Sequence, residues 1–331
     1  MPGKGLDGRL SPRAVSRPIM LAVVNVVLPV FAIMLAGYLR GHFSLLGQGS
    51  SQALNGYVYY VALPAMFFLS MSRVPVEQAF DLGFLGAYGG AALLLFAVSM
   101  VIARFAFPNR LGGLGLHAMS AIFANTGYMG IPLLLIAYGD AGRLPGVISS
   151  LFNGVVVMAL VTAILELDLH AGAGPLQILR KLTLGILRSP LLMAAVAGLL
   201  ASATGVVLPK AFVTFADLLG VTAGPCALFA IGLFMVGKSI RTDLGEVLWV
   251  TALKLLAQPL LTWWLAYEVF ALEPTAAAAA VILAALPTGA LSFVLAQRYQ
   301  VYVQRSTAVI LVSTVLSVVT LTALFLVIGV G

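Results

Sequence analysis

The sequence repeats its helix-breaking residues at a spacing of about 161 positions. The matched residues are Pro29 and Pro190, Gly37 and Gly198, Pro64 and Pro225, and, one position out of register, Thr126 and Gly127 with Thr288 and Gly289. Each lies inside a long apolar stretch, where proline and glycine cost stability unless a neighbour or a cavity satisfies the freed backbone groups. The pattern predicts two copies of one plan, with interrupted helices that meet near the middle of a membrane.

Composition places the whole chain in a membrane. Of 331 residues, 61% are hydrophobic and 9% are charged, whereas soluble domains carry about 25% charged residues. Ten windows are long enough to span the bilayer as helices of roughly 20 residues: 19–39, 51–72, 82–104, 114–137, 144–166, 188–204, 211–236, 246–270, 274–297 and 305–330. We therefore predict an all-α polytopic membrane protein with no soluble domain between its spans.

The N-terminal extension and the few cysteine and histidine residues limit the kinds of site that the chain can form. Residues 1–18 form a basic extension that we predict to be disordered, and Met20 is an alternative start. The single cysteine, Cys226, excludes an intramolecular disulfide. The histidines are placed near loops, namely His42, His117 and His170. We expect no metal site and no cofactor.

The basic residues orient the spans. Connections after odd-numbered windows carry Arg40, Arg104, Arg110, Arg180, Lys181, Arg188, Lys238, Arg241, Arg298 and Arg305, and the opposite loops carry Arg73, Arg143 and Lys210. The positive-inside rule then places both termini on the non-cytoplasmic side, although the basic extension opposes this. Five spans in each copy, 19–170 and 171–331, make the second copy inverted. The net charge of +7 thus reflects topology, and no nucleic-acid partner is expected.

The fourth window contains the richest set of polar and helix-breaking residues. The set comprises Asn125, Thr126, Gly127, Gly130 and Pro132, near mid-membrane at 1.5 Å per residue. Broken here, the helix would expose N–H groups and a positive dipole end, which bind anions without a buried cation. A kinked, packed helix with Asn125 bonded to a neighbouring helix is the alternative.

The ninth window supports the broken-helix interpretation. Pro287, Thr288 and Gly289 lie at the matching depth, and Ser292 follows one turn later. We predict that the two breaks cross and that their residues bind a small carboxylate, with hydroxyl groups adding hydrogen bonds.

Lys254 is the basic residue that lies well inside a span, with Gln258 one turn away. An ionisable residue at that depth is a candidate for coupling or gating. Alternatively, its side chain snorkels to the membrane surface or forms a structural pair. In the repeat its counterpart is Leu93, so Lys254 breaks the symmetry.

Several segments together resemble the auxin efflux carrier family of membrane transporters. They are VVLPVFAIMLAGYLRG, ALPAMFFLS, ANTGYMGIPLL, ALFAIGLFMVG and LPTGALSFVLAQRYQV, and the resemblance runs from Met20 through essentially the whole chain. It implies ten helices in two inverted five-helix repeats, with helices 4 and 9 broken and crossing. Spans 1, 2, 6 and 7 would form a scaffold, spans 3–5 and 8–10 a moving transport domain, and the chain a possible homodimer.

The resemblance also implies a function. Family members carry small organic anions: plant members export auxin, and bacterial relatives are described as permeases for malonate or related carboxylates. Plant carriers are expected to bring an asparagine beside the proline of each crossing helix, but here Pro287 stands where the repeat would place the counterpart of Asn125. A compact bacterial carboxylate carrier in the cell membrane, working by alternating access, is therefore the predicted function.

Two other functions remain open at this point. A sodium-coupled organic anion symporter of the bile-acid type shares the crossed-helix plan, and sodium dependence would distinguish it. A non-transporting membrane enzyme or sensor would need a catalytic set inside the spans, such as paired carboxylates, which the sequence does not suggest.

Overall fold

The structure is a computed structural model that describes residues 28–47, 49–75, 81–169, 187–237 and 243–328, together with 180, 183 and 184. The basic extension 1–18, the start of the first window and His170 lie outside the described residues. Within the described ranges the regular structure is entirely helical, with one isolated β-bridge. The predicted all-α class is confirmed for this part of the chain.

Twelve helical segments are labelled here in chain order. They are α1 Leu28–His42, α2 Ser50–Ser72, α3 Leu82–Ala106, α4 Leu111–Ile122, α5 126–138, α6 143–169, α7 Pro190–Thr204, α8 Lys210–Met235, α9 Leu244–Val269, α10 Pro274–Ala284, α11 Leu291–Tyr299 and α12 Val303–Ile328.

Six helical stretches in the described residues are long and apolar enough to cross a membrane. They are α2, α3, α8, α9, α12 and Thr126–Leu169, which contains α5 and α6. The α5–α6 stretch changes course at Gly139, whose φ of 60° lies in the left-handed region that glycine tolerates. Shorter apolar helices are α4, α7 and α10. The chain is therefore a multi-pass membrane protein.

The fourth and ninth windows are interrupted at the predicted positions. Helix α4 ends at Ile122 and the next helical turn begins at Thr126, while α10 ends at Ala284 and α11 begins at Leu291. Pro287 has no N–H to continue α10. Pro132, in contrast, lies in the first α-helical turn after a π-turn at Thr126–Gly130, where a missing N–H costs little. Pro132 therefore lies just after the break in the chain.

The first half of the chain packs on the second through two matching contacts. Helix α1 lies against α8, and α2 against α7. A Cβ atom on Gly37 would overlap the carbonyl oxygen of Phe229, and one on Gly198 would overlap that of Phe68. Both residues of one contact are offset by 161 from those of the other. Close backbone approach thus requires glycine at both positions.

Candidate functional site at the helix crossing

The two interrupted segments pair with each other. Ala124 and Thr288 form an antiparallel bridge, in which the Asn125 N–H donates to Pro287 O at 2.9 Å and the Gly289 N–H donates to Phe123 O at 2.8 Å. These bonds satisfy backbone groups that neither broken helix can satisfy alone, which membrane burial demands. The predicted crossing of the two breaks is thus present in the backbone.

Helix α9 caps the C-terminal ends of both half-helices that enter the crossing. Gln258 Nε2 donates to Ile122 O of α4 at 2.9 Å, and Lys254 Nζ donates to Ala284 O of α10 at 2.6 Å. Both side chains are fully buried. Lys254 therefore does not snorkel, and its amino group lies at the C-terminal end of α10, where a helix leaves its last carbonyl groups unpaired.

Asn153 of α6 ties the first break to its surroundings. Its Nδ2 lies 3.1 Å from both Ala124 O and Tyr88 Oη, and 3.3 Å from Thr126 Oγ1. Ser150, one turn earlier, donates to Thr126 Oγ1 at 3.0 Å. Asn153 is not among the site residues predicted from the sequence. The available signal was an amide nine residues inside an apolar window, which is costly without partners.

The hydroxyl groups of the second break are bonded to backbone within the crossing. Thr288 Oγ1 donates to Ser120 O at 2.7 Å, and the Thr288 N–H donates to Ser313 Oγ at 3.1 Å. Ser292 Oγ donates to Gly289 O at 2.9 Å. Thr288 and Ser292 thus position the crossing, since their donor protons already have acceptors.

Several backbone amides at the crossing have no partner among the described residues. A helix leaves its first N–H groups unpaired, and the backbone bonds near the breaks account for neither Gly127 and Tyr128 nor Ala290 and Leu291. These four residues are partly accessible, whereas everything else in 112–134 and in 277–292 is buried, including Ala124 and Leu286, whose N–H groups also have no backbone partner. Two pairs of unpaired N–H groups, each at a helix N-terminus, therefore belong to partly accessible residues.

The predicted glycines and Pro132 have different surroundings. A Cβ on Gly127 would meet only Ser150 Oγ at 3.6 Å and Leu63 at 3.8 Å, so this position is open. Gly130 packs on Leu283 and Leu286 of the second break region, Gly289 on Phe123, and Pro132 on Gly224 of α8. These three residues allow close packing, whereas Gly127 borders the accessible space.

Asn125 is the predicted site residue with an unused side chain. It is 8% exposed, and its backbone bonds Pro287, Met129 and Gly130. Its side-chain amide forms no hydrogen bond with any described residue. An amide at this position has both a donor and an acceptor available for a ligand.

A cavity of about 940 Å³ opens at the other end of the same helices. It is lined by Phe84, Leu144, Ile148, Glu273 and Thr275, among others. The backbone N–H of Thr275 lowers the pKa of Glu273, which caps α10. Phe84 stacks on Tyr88 at 6.2 Å, and Tyr88 bonds Asn153. A continuous series of contacts thus connects the cavity to the crossing.

A second polar cluster was missed from the sequence. His117 lies fully buried in α4 rather than near a loop, with Nδ1 2.7 Å from Oε1 of the equally buried Glu246. Tyr302 and Arg305 also contact Glu246. The sequence assigned Glu246 to the cytoplasmic end of its span, and nothing in the order of residues shows that α4, α9 and α12 bring these groups together.

Comparison with known proteins places this geometry in context. A family model described as membrane transport protein matches residues 22–325. A Rhizobium meliloti (strain 1021) protein named "Putative malonate transporter" is 30% identical over 316 residues, covering 94% of this chain and 98% of that protein.

Two further relatives cover most of the chain. The "Uncharacterized transporter YfdV" of Escherichia coli (strain K12) is 26% identical over 312 residues, with 89% of this chain and 94% of the relative covered. An "Uncharacterized transporter" of Methanothermobacter thermautotrophicus is 25% identical over 311 residues, with 92% and 97% covered.

Proposed function

The chain belongs to the membrane transport protein family, the auxin efflux carrier family that its sequence resembles, and we propose that it is a secondary transporter of a small organic carboxylate. The observation that carries the proposal is the set of unpaired amides of four partly accessible residues, Gly127, Tyr128, Ala290 and Leu291. Helix N-termini of this kind bind carboxylates through N–H groups and dipole. Both pairs lie within four residues of the Ala124–Thr288 bridge.

Buried charge also favours an anion. Lys254 forms no ion pair with any described residue, although it is fully buried beside the second break. An uncompensated buried cation is costly, and a bound carboxylate would supply the missing negative charge. Opposite unit charges about 8 Å apart attract by about 2 kcal/mol at an effective dielectric constant of 20.

The proposed substrate is a dicarboxylate of the size of malonate. The Rhizobium relative carries malonate in its name, and the crossing offers two separate amide pairs. A dicarboxylate would place one carboxylate on each pair, with Asn125 and Lys254 nearby. Auxin is not proposed, because Pro287 stands where the second asparagine would be needed.

The proposed architecture has ten spans in two inverted five-helix repeats. The matching contacts of Gly37 and Gly198 support the repeat. In this scheme α1, α2, α7 and α8 form the scaffold, and the remaining helices form a transport domain that carries the crossing by alternating access. Both termini lie outside the cell, and the chain functions as a homodimer in the cell membrane.

Reconstitution tests the proposal. The purified full chain in liposomes is expected to exchange external labelled malonate for internal unlabelled malonate, and acetate or a neutral amide of malonate is expected to compete weakly or not at all. Runs with and without sodium separate this carrier from a sodium-coupled symporter. If no mono- or dicarboxylate of a panel moves under any ion gradient, the proposal is wrong.

Asn125→Ala tests the site itself. Removing an amide that has no protein partner is expected to leave the melting temperature unchanged and to weaken malonate binding about tenfold, the loss of one hydrogen bond to a charged group. Asn55→Ala is the matched control, because Asn55 contacts only Ser51 at 3.5 Å. Equal affinity in the two variants, measured by ligand-induced thermal shift, would remove Asn125 from the site.

A further inference from the structure

The buried cluster along α4 has the composition of a proton-binding site. His117 Nδ1 lies 2.7 Å from Glu246 Oε1, and Tyr302 Oη donates to the same oxygen at 2.8 Å. Burial raises the pKa of Tyr302, so this hydroxyl keeps its proton. Two groups thus lie on one oxygen of Glu246, and the Nδ1–H tautomer of His117 can donate to it.

The second ring nitrogen of His117 takes no part in these contacts. His117 Nε2 is buried and has no hydrogen-bond partner among the described residues; the ring lies 5.6 Å from that of Phe107. An imidazole nitrogen without a partner is a position at which a proton can bind. The orphaned Nε2 is therefore the position where a proton would bind.

The charged groups nearest the pair are two carboxylates and one guanidinium. Arg305 Nε lies 3.1 Å from Glu246 Oε2, although its N–H is not directed at that oxygen, which keeps no hydrogen bond of its own. Arg305 also approaches Asp243 at 3.9 Å and donates to Asn109 at 2.9 Å. A proton on His117 would add one positive charge to this set.

Other titratable groups lie on the packed elements. Asp168 of α6 lies against Gly112, Glu166 accepts from Tyr299 Oη at 2.8 Å, and Arg110 precedes α4. Arg110, Asp168, Tyr302 and Arg305 line a cavity of about 240 Å³. This cavity thus reaches Tyr302 and Arg305, the two residues that contact Glu246.

We propose that the His117–Glu246 cluster is the proton-binding site that couples carboxylate transport to a proton gradient. The proposal rests on the proposed function. The proton binds Nε2 from water and gives an imidazolium whose Nδ1–H still donates to Glu246; it leaves from Nε2 to water on the other side of the membrane. No other bond is made or broken.

Two connections link the proton to the substrate. His117 lies five residues before the end of α4, about 8 Å along the helix axis. Glu246, Lys254 and Gln258 all lie on α9, so the helix that holds the proton site also caps both breaks. A positive charge about 10 Å from a bound anion strengthens binding on the order of tenfold at an effective dielectric constant of 20. Because such coupling is reciprocal, proton and carboxylate move together.

The test compares wild type with His117→Asn in liposomes that contain a trapped pH dye. Asparagine keeps a donor near the Nδ1 position and cannot titrate. In wild type, external malonate is expected to acidify the interior, and malonate affinity is expected to be about tenfold higher at pH 6 than at pH 8 beyond the substrate's own titration. His117→Asn is expected to lose both effects and to keep malonate counterflow.

Controls separate the possible failures. Glu246→Gln is the second variant, with the same expected loss, in case His117→Asn does not fold; His42→Asn, at the exposed end of α1, is expected to behave as wild type. Acidification by His117→Asn at the wild-type rate would overturn the inference. Counterflow without acidification in wild type would overturn it and leave the proposed function standing, whereas absence of counterflow in wild type would overturn both.

Discussion

The two helix-packing contacts and the two helix breaks differ in how closely the two halves of the chain match. In the packing of α1 on α8 and α2 on α7, the nearest contact is the same: glycine faces a phenylalanine carbonyl in both, 161 residues apart. At the breaks the backbones pair, but the side chains that support them differ. Ile122 O receives a neutral amide from Gln258, whereas Ala284 O receives an ammonium group from Lys254.

The helix-packing contacts and the breaks therefore have different requirements. Close helix packing requires the same small residue wherever the same geometry recurs. A coupled proton requires unequal chemistry in equivalent places. Leu93, the repeat counterpart of Lys254, is 38% exposed on α3, so the buried charge has no match in the first half.

The largest effect on stability is expected when the matching contacts of α1 with α8 and of α2 with α7 are disrupted. Gly37→Ala and Gly198→Ala each place a Cβ on a backbone carbonyl that cannot rotate away, so the helix pairs must separate. Each substitution is expected to lower the free energy of unfolding by about 3 kcal/mol, the upper end of the usual range for overpacking. Gly56→Ala, with no atom within 4 Å, is the control. Chemical denaturation in detergent measures all three; clearly unequal losses would contradict the equivalence of the two contacts.

The sequence predicted this part of the fold well, for a physical reason. Proline and glycine inside apolar windows are few and costly, so their spacing reports backbone geometry directly. The breaks at 123–125 and 285–290 lie where that spacing placed them. Pro132, which the sequence analysis included in the predicted break, instead lies in the first α-helical turn after it, because the π-turn at Thr126–Gly130 comes between.

An intermediate effect on stability is expected when the two unlike side chains that cap the breaks are changed. Lys254→Met and Gln258→Leu each leave a buried carbonyl without its donor, a loss of about 1–3 kcal/mol of stability. Only Lys254→Met also removes a positive charge from the substrate site, so its malonate affinity is expected to fall roughly 30-fold, the factor that corresponds to about 2 kcal/mol. Thermal shift with and without malonate measures both. Equal affinity losses would show that Lys254 acts only as a cap.

The candidate site could be predicted from the sequence only in part. Residues that break a helix are recognisable along the chain, and this placed Asn125, Gly127 and Thr288 at the two interruptions. Asn153, His117 and Glu246 belong to the polar clusters because their helices are neighbours in the folded protein. The order of residues along the chain does not show which helices are neighbours. Lys254 was recognised as unusual from its depth in a span, but its acceptor, Ala284 O, lies 30 residues away on another helix.

The smallest effect distinguishes packing from binding among the crossing glycines. Gly127→Ala has room for its methyl group, whose nearest neighbours are at 3.6 Å and 3.8 Å, so stability is expected to change by less than about 0.5 kcal/mol. The methyl group would project into the space beside the free amides, and a few-fold loss of malonate affinity is expected.

In Gly289→Ala the Cβ would lie 2.9 Å from the Phe123 ring, and a loss of about 1–3 kcal/mol of stability is expected. Denaturation and malonate titration of both variants, with Gly154→Ala as the unhindered control, separate the two roles. Unchanged affinity in Gly127→Ala would mean that the carboxylate does not bind the amides of the first break, and it would leave the second break, beside Lys254, as the place where the anion is held.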